Sequence, residues 1–295
     1  MKHLIDIHDL SRSDVEHVFD LTDRMKADPD EFASVMDNKT LVMLFAKPST
    51  RTRLSFETGM TQLGGHAIFF GMEKSQLGRG EPISDTAKVM SRYEDAIMAR
   101  LFAHEDMEEL AEHADIPVVN GLTDFLHPCQ ALTDLYTLYE KDRLDSIAYV
   151  GDGNNVAHSL MQASAKLDVD CRIATPEEME PDQVIVDRVA DADVTVTNDP
   201  YEAVDGARAV YTDVFVSMGE EDEREEKLAA FDGYQVDSDL MAAADEDAVF
   251  MHCLPAHRGE EVSAEVIDGP QSVVFDQAEN RMHVQKAILH ALVNE

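Results

Sequence analysis

The sequence predicts an α/β protein of two domains, each a parallel β-sheet flanked by helices, with a C-terminal helix returning to the first domain. Two observations carry this expectation. Apolar runs of strand length alternate with stretches of helical periodicity along nearly the whole chain, and such alternation is the mark of parallel sheets, whose strands need helical crossovers. The chain is 295 residues long, about twice the commonest domain size, so two cores are the natural arrangement.

The first set of strands is read at 41–46, 67–70, 96–100 and 118–119. Between them Ile83, Ala87, Met90 and Tyr93 recur at helical spacing, as do Met107, Leu110, Ala111 and Ala114, so each gap holds one apolar helical stripe. A helix over 130–141 separates the sets. The second set is read at 147–150, 172–174, 194–197, 210–212, 249–251 and 273–275, followed by a terminal helix over 279–293. The domains expected are therefore 1–130 together with 278–295, and 131–277.

Charge narrows the function classes. Acidic residues number 60 against 24 basic ones, for a formal charge of -36, and they are spread along the whole length. Nucleic acid and anionic membrane are excluded as partners, because both are bound through clustered Lys and Arg. Blocks such as 220–226 are read as solvated faces of a packed globule, since 44% of residues are hydrophobic and the periodicity is regular. Self-repulsion of this size needs counterions, and at molar salt the screening length falls to about 3 Å; a salt-rich cytoplasm is expected. The odd set Cys129, Cys171 and Cys253 makes no disulfide framework and fits a reducing compartment. No apolar signal core opens the chain and no run approaches a membrane span, so a cytoplasmic protein is expected.

The chemistry gathers where strands end. After the first strand comes Lys47-Pro48-Ser49-Thr50-Arg51-Thr52-Arg53, leading into a helical pattern through Leu54, Met60 and Leu63. With Ser49 as N-cap, backbone N–H groups, the hydroxyls of Ser49, Thr50 and Thr52 and the Arg51 guanidinium surround the positive end of a helix, a point suited to phosphate. From the turn alone, a capped helix with two surface arginines explains it equally well. Further along stand Ser75-Gln76-Leu77-Gly78-Arg79-Gly80-Glu81, Arg100 at a strand end and His127-Pro128-Cys129-Gln130. A lone Arg100 reads as a surface ion pair, and a lone His127 as a helix cap.

Gly151-Asp152-Gly153-Asn154-Asn155-Val156 follows a strand and superficially matches a dinucleotide fingerprint, but Val156 occupies the third glycine position, which weakens a dehydrogenase reading. Asp170 lies roughly where a ribose ligand would, without catalytic partners. Beyond it stand Thr212-Asp213-Val214-Phe215-Val216-Ser217-Met218-Gly219, His252-Cys253-Leu254-Pro255 and Ala278-Glu279-Asn280-Arg281-Met282. Cys253 as a covalent nucleophile, or as a metal ligand with His252 and His257, lacks the base pattern or second cluster that either needs. No metal is expected.

Taken in order, these strings resemble the aspartate and ornithine carbamoyltransferase family from end to end. The resemblance implies transfer of a carbamoyl group from carbamoyl phosphate to the δ-amine of ornithine, giving citrulline and phosphate in arginine biosynthesis or, in reverse, arginine breakdown. It implies carbamoyl phosphate held by Ser49, Thr50, Arg51, Thr52, Gln76, Arg100, His127, Gln130, Cys253, Leu254 and Arg281, with Arg100, His127, Cys253 and Arg281 catalytic. Ornithine would be held by Asn155, with Asn154 the second choice, and by Asp213, Ser217 and Met218; Asp213 would pair with the α-ammonium. The family usually has tryptophan where Phe215 stands. The His252-Cys253-Leu254-Pro255 string matches the ornithine branch rather than the aspartate branch. No cofactor is implied, and the assembly implied is a homotrimer in which the Gln76 loop reaches a neighbour's site.

Overall fold

The computed structural model describes residues 1–72, 80–217 and 224–295, and its chain divides into two compact units, Met1–Leu132 with Asn280–Glu295, and Thr133–Glu279. In the first unit, α1 (Arg12–Ala27) opens on a capping box in which Ser11 and Asp14 each satisfy the other's backbone N–H, fixing its start. β1 (Thr40–Phe45), β2 (His66–Gly71), β3 (Ala96–Arg100) and β4 (Val118–Leu122) form a parallel sheet in the order β2-β1-β3-β4. The crossovers are α2 (Thr50–Gln62), α3 (Ile83–Tyr93) and α4 (His104–His113).

β3 and β4 are buried along their whole length, as strands covered on both faces must be, which is why they read as apolar runs. Val42, Leu44, Ile97 and Ala99 pack with Met107 and Leu110 of α4 and Ala87 of α3, each large side chain contributing about 1.5–3 kcal/mol by leaving water. α5 (Pro128–Glu140) starts on a proline, a residue already set for the first helical turn.

In the second unit β5 (Ser146–Val150), β6 (Asp170–Ala174), β7 (Val194–Thr197), β8 (Ala209–Thr212) and β9 (Val249–His252) form a parallel sheet in the order β7-β6-β5-β8-β9. Around it lie α6 (Asn155–Leu167), α7 (Gln183–Arg188), α8 (Pro200–Val204), α9 (Arg224–Ala230), α10 (Ser238–Met241), α11 (Ala264–Ile267) and the start of α12 (Val274–Asn294). One core joins Val150, Val210 and Phe250 of the sheet with Val204, Leu240 and Val266 of the helices. The last part of α12 belongs to the first unit, so the C-terminal helix does return there. No described helix is long and apolar enough to cross a membrane.

The strand expected over 273–275 is absent. Phe250 accepts one backbone bond from Val273 and donates one to Gln271, a single bridge, after which α12 begins at Val274. Val274 is buried while Phe275 is 72% exposed. Three apolar residues in a row do not tell a strand from a first helical turn, and the helix consequently starts five residues before the expected 279.

Candidate functional site

In both units the chemistry sits at the carboxyl ends of strands, where open parallel sheets bind ligands. In the first, Phe45 of β1 is in register with Arg100 of β3, which brings the turn after β1 beside that arginine. Ser49 caps α2, its Oγ accepting from the Thr52 N–H at 3.2 Å. The same hydroxyl donates to Thr52 Oγ1 at 3.0 Å, and Arg281 Nη2 donates to that oxygen at 2.9 Å. Thr52 is 1% exposed. With both lone pairs taken, its own proton remains for a third group.

Arg100, His127, Gln130 and Arg281 are all buried around this point. Gln130 lies on the first turn of α5, its backbone N–H donating to the His127 carbonyl at 3.1 Å. Burial holds the His127 imidazole well below its ordinary pKa, and the nearby Arg281 and Arg100 cations push it further down. His127 is therefore neutral near pH 7, able to donate one N–H without adding a charge beside two guanidiniums. Thr50 is exposed and Arg51 half-buried at the open end of the helix. Arg53 turns away to stack on Phe69, 4.1 Å from the ring centre, and to pair with Glu57 at 2.9 Å. Of the two motif arginines, the second is thus a surface residue.

Lys47 carries no role in the sequence reading, yet it is buried, pairs with Asp124 and lies over the Phe102 ring at 4.6 Å. A lysine directly after a buried strand is the one signal that marks it. Gln76, with the rest of 73–79, lies outside the described residues, as does Met218.

In the second unit Thr212 of β8 is in register with His252 of β9, so the residues that follow them, Asp213 and Cys253, become neighbours. Cys253 Sγ donates to Asp213 Oδ1 at 2.9 Å, and Asn154 Nδ2 donates to Asp213 Oδ2 at 3.3 Å. Asn154 Oδ1 caps α6 by accepting from Val156 at 2.9 Å and Ala157 at 3.3 Å. Asn154 is thereby occupied in structure, while Asn155 opens the helix beside it, half-buried. Gly153 is required there, because a Cβ would lie 2.4 Å from Pro181 N and 2.5 Å from Met179 O.

Leu254 stands at φ 59, a left-handed conformation that costs about 1–3 kcal/mol for such a residue. His252 holds it: Nδ1 accepts from the Leu254 N–H at 2.8 Å while Nε2 faces Glu261 at 3.2 Å. Asp213, His252 and Cys253 offer ligand atoms within 4.8 Å of one another; both His252 ring nitrogens are engaged, and the Cys253 thiol donates to Asp213. Phe215 stacks flat on Phe231, with centroids 4.1 Å apart, and Ser217 is half-buried beyond it.

Residues 2–140 match the family described as Aspartate/ornithine carbamoyltransferase, carbamoyl-P binding domain, and residues 145–292 the corresponding Asp/Orn binding domain. Two such α/β units, with a cation-lined helix terminus in one and an acid–thiol pair in the other, define an enzyme that transfers one-carbon groups. The chain belongs to the aspartate/ornithine carbamoyltransferase family. A catabolic ornithine carbamoyltransferase of Halobacterium salinarum is 77% identical over 100% of both chains. An ornithine carbamoyltransferase of Bacillus subtilis is 52% identical over 99% of this chain and 94% of its own. The solved ornithine carbamoyltransferase of Pyrococcus furiosus superposes with a TM-score of 0.94 at 48% identity, covering 99% of this chain and 97% of its own.

Proposed function

We propose that the chain is an ornithine carbamoyltransferase, forming citrulline and phosphate from carbamoyl phosphate and L-ornithine. The observation that carries the ornithine assignment is the Cys253 to Asp213 contact at 2.9 Å, a carboxylate and a soft sulfur placed to receive an amine rather than a carboxylate side chain. The catabolic relative at 77% identity supports arginine breakdown as the setting.

Residues 1–130 with 278–295 would bind carbamoyl phosphate and residues 131–277 ornithine. Ser49, Thr50, Arg51, Thr52, Arg100 and Gln76 hold the phosphate, with planar guanidiniums giving bidentate contacts. His127, Arg100 and Arg281 donate to the carbonyl oxygen, and Gln130 would hold the carbamoyl amide, with Leu254 and Cys253 as the second unit's candidates for the same group. Asn155 takes the α-carboxylate of ornithine; Asp213, Ser217 and Met218 take its amines. The neutral δ-amine attacks the carbonyl carbon, forming the C–N bond. The oxyanion faces the His127 and Arg100 donors, where losing one donor costs about 2.7–4 kcal/mol. Collapse breaks the C–O bond to phosphate, whose oxygens accept the amine proton. The acidic surface suits a salt-rich cytoplasm, and a homotrimer with Gln76 shared between subunits is the assembly this reading calls for.

Purified protein in molar KCl, given carbamoyl phosphate with ornithine, aspartate, putrescine or acetylornithine in turn, tests the assignment. Citrulline formation with ornithine at a kcat/KM far above the other amines is expected. Preference for any other amine, or no product with ornithine, overturns it.

A further inference from the structure

We propose that Lys227, paired with Asp152, is a positioning residue for the amino-acid subsite, holding the Gly151 to Asn155 turn in the shape that presents Asn154 and Asn155. The proposal rests on the ornithine reading and names a residue that the reading itself does not use.

Lys227 Nζ lies 3.1 Å from Asp152 Oδ2, and the two side chains are only 10% and 11% exposed. A pair so buried behaves unlike one on the surface: removing one partner leaves a charge in a poorly hydrated place, and the effect is felt by whatever the remaining group touches. Asp152 touches the turn itself. Its carbonyl accepts from the Asn154 N–H at 2.7 Å, and the next residue, Gly153, donates to the Met179 carbonyl at 2.9 Å. Asn154 then spans two tasks, capping α6 through Oδ1 and donating to Asp213 through Nδ2 at 3.3 Å, and Asp213 receives the Cys253 thiol. The chain of contacts therefore runs from Lys227 through Asp152 and Asn154 to Asp213.

Charge supports the same reading. Burial first, and then Asp213, Asp152 and Cys253, push the Tyr149 hydroxyl pKa well above its ordinary value, so two carboxylates and a thiol lie near one buried phenol. Lys227 brings a cation to that crowd from α9, 75 residues away in sequence. Without it, Asp152 either takes up a proton or draws the turn toward water, and both change the geometry of Asn154 and the field at Asp213.

Lys227→Met, Lys227→Arg, Asp152→Asn and the Lys227→Met/Asp152→Asn double variant test this in molar KCl. The readouts are ornithine KM at saturating carbamoyl phosphate, carbamoyl phosphate affinity measured alone, and thermal midpoint. Lys227→Met is expected to raise ornithine KM about tenfold or more while carbamoyl phosphate affinity stays within about twofold; Lys227→Arg restores KM to within about threefold, and the double variant falls nearer wild type than Lys227→Met, because no lone buried charge remains. An ornithine KM unchanged in Lys227→Met, failure of arginine to rescue, or loss of both affinities in step with the thermal midpoint overturns the proposal. If Lys227→Met does not fold, Asp152→Asn, which matches the aspartate side chain in size but carries no charge for Lys227, takes its place: a raised ornithine KM with carbamoyl phosphate affinity held within about twofold is expected, and an unchanged ornithine KM overturns the proposal. Wild type is assayed alongside: no citrulline from wild type sinks the ornithine reading, whereas normal wild-type turnover with an indifferent Lys227 sinks this proposal alone.

Discussion

Thr52→Val is the sharpest single test of the anion site. Valine matches threonine in shape, so the 1% exposed side chain keeps its packing, and only the hydroxyl is lost. That hydroxyl accepts from Arg281 Nη2 at 2.9 Å and from Ser49 Oγ at 3.0 Å. The bond to a guanidinium is the costly one to remove, since hydrogen bonds to charged groups contribute about 1.5–3 kcal/mol. If Arg281 must be held in place for the transition state, that loss becomes about tenfold to about 150-fold in kcat/KM, at about 1.4 kcal/mol per factor of ten. The assay is citrulline formation with carbamoyl phosphate varied at saturating ornithine, beside a thermal melt and Thr52→Ser as control. Serine keeps the hydroxyl and should stay within about fivefold of wild type. A Thr52→Val enzyme within about threefold of wild type, with a lowered melting point, would show that the hydroxyl serves the fold alone and refute the reasoning.

Local spacing decided what could be read in advance. Ser49 and Thr52 are three residues apart, so the helix N-terminus and its cap were legible in the sequence, and buried parallel strands announce themselves as apolar runs. The pairing of β8 with β9 was not legible, yet it makes neighbours of Asp213 and Cys253, 40 positions apart. Arg281 and Thr52 are separated by 229 positions and Lys227 and Asp152 by 75; no periodicity reports such meetings, and only the resemblance pointed to Arg281. Asn154 and Asn155 look alike in sequence. Asn154 is the cap because it precedes the first turn of α6, and only an N-cap side chain can reach the N–H groups of Val156 and Ala157. The misread strand at 273–275 has the same root: Phe275 is exposed and Val274 buried, a contrast that helical geometry produces and that three apolar letters conceal.

Arg51→Ala should lower carbamoyl phosphate affinity and rate by about a hundredfold or more, with a melting point close to wild type because Arg51 is only half-buried; near-normal kinetics would remove it from the phosphate site. Asp213→Asn should raise ornithine KM far more than it weakens carbamoyl phosphate binding, and equal losses would contradict the division between the two units. With a formal charge of -36, melting point and activity should climb from dilute buffer toward molar salt as screening tightens to about 3 Å, and full stability in dilute buffer would end the salt-rich reading. The last test concerns His127, whose folded pKa lies well below its ordinary value through burial and then through Arg281 and Arg100. Below about pH 6.5 the unfolded chain takes up a proton there that the folded chain refuses, so folding free energy falls as pH drops, by up to about 1.4 kcal/mol per pH unit. Above about pH 6.5 both states are neutral and the effect vanishes. Denaturant melts of wild type and His127→Asn between about pH 6.5 and about pH 5 should therefore diverge in slope, wild type losing stability faster on acidification; parallel slopes would mean that the folded imidazole is protonated and cannot act as the neutral donor.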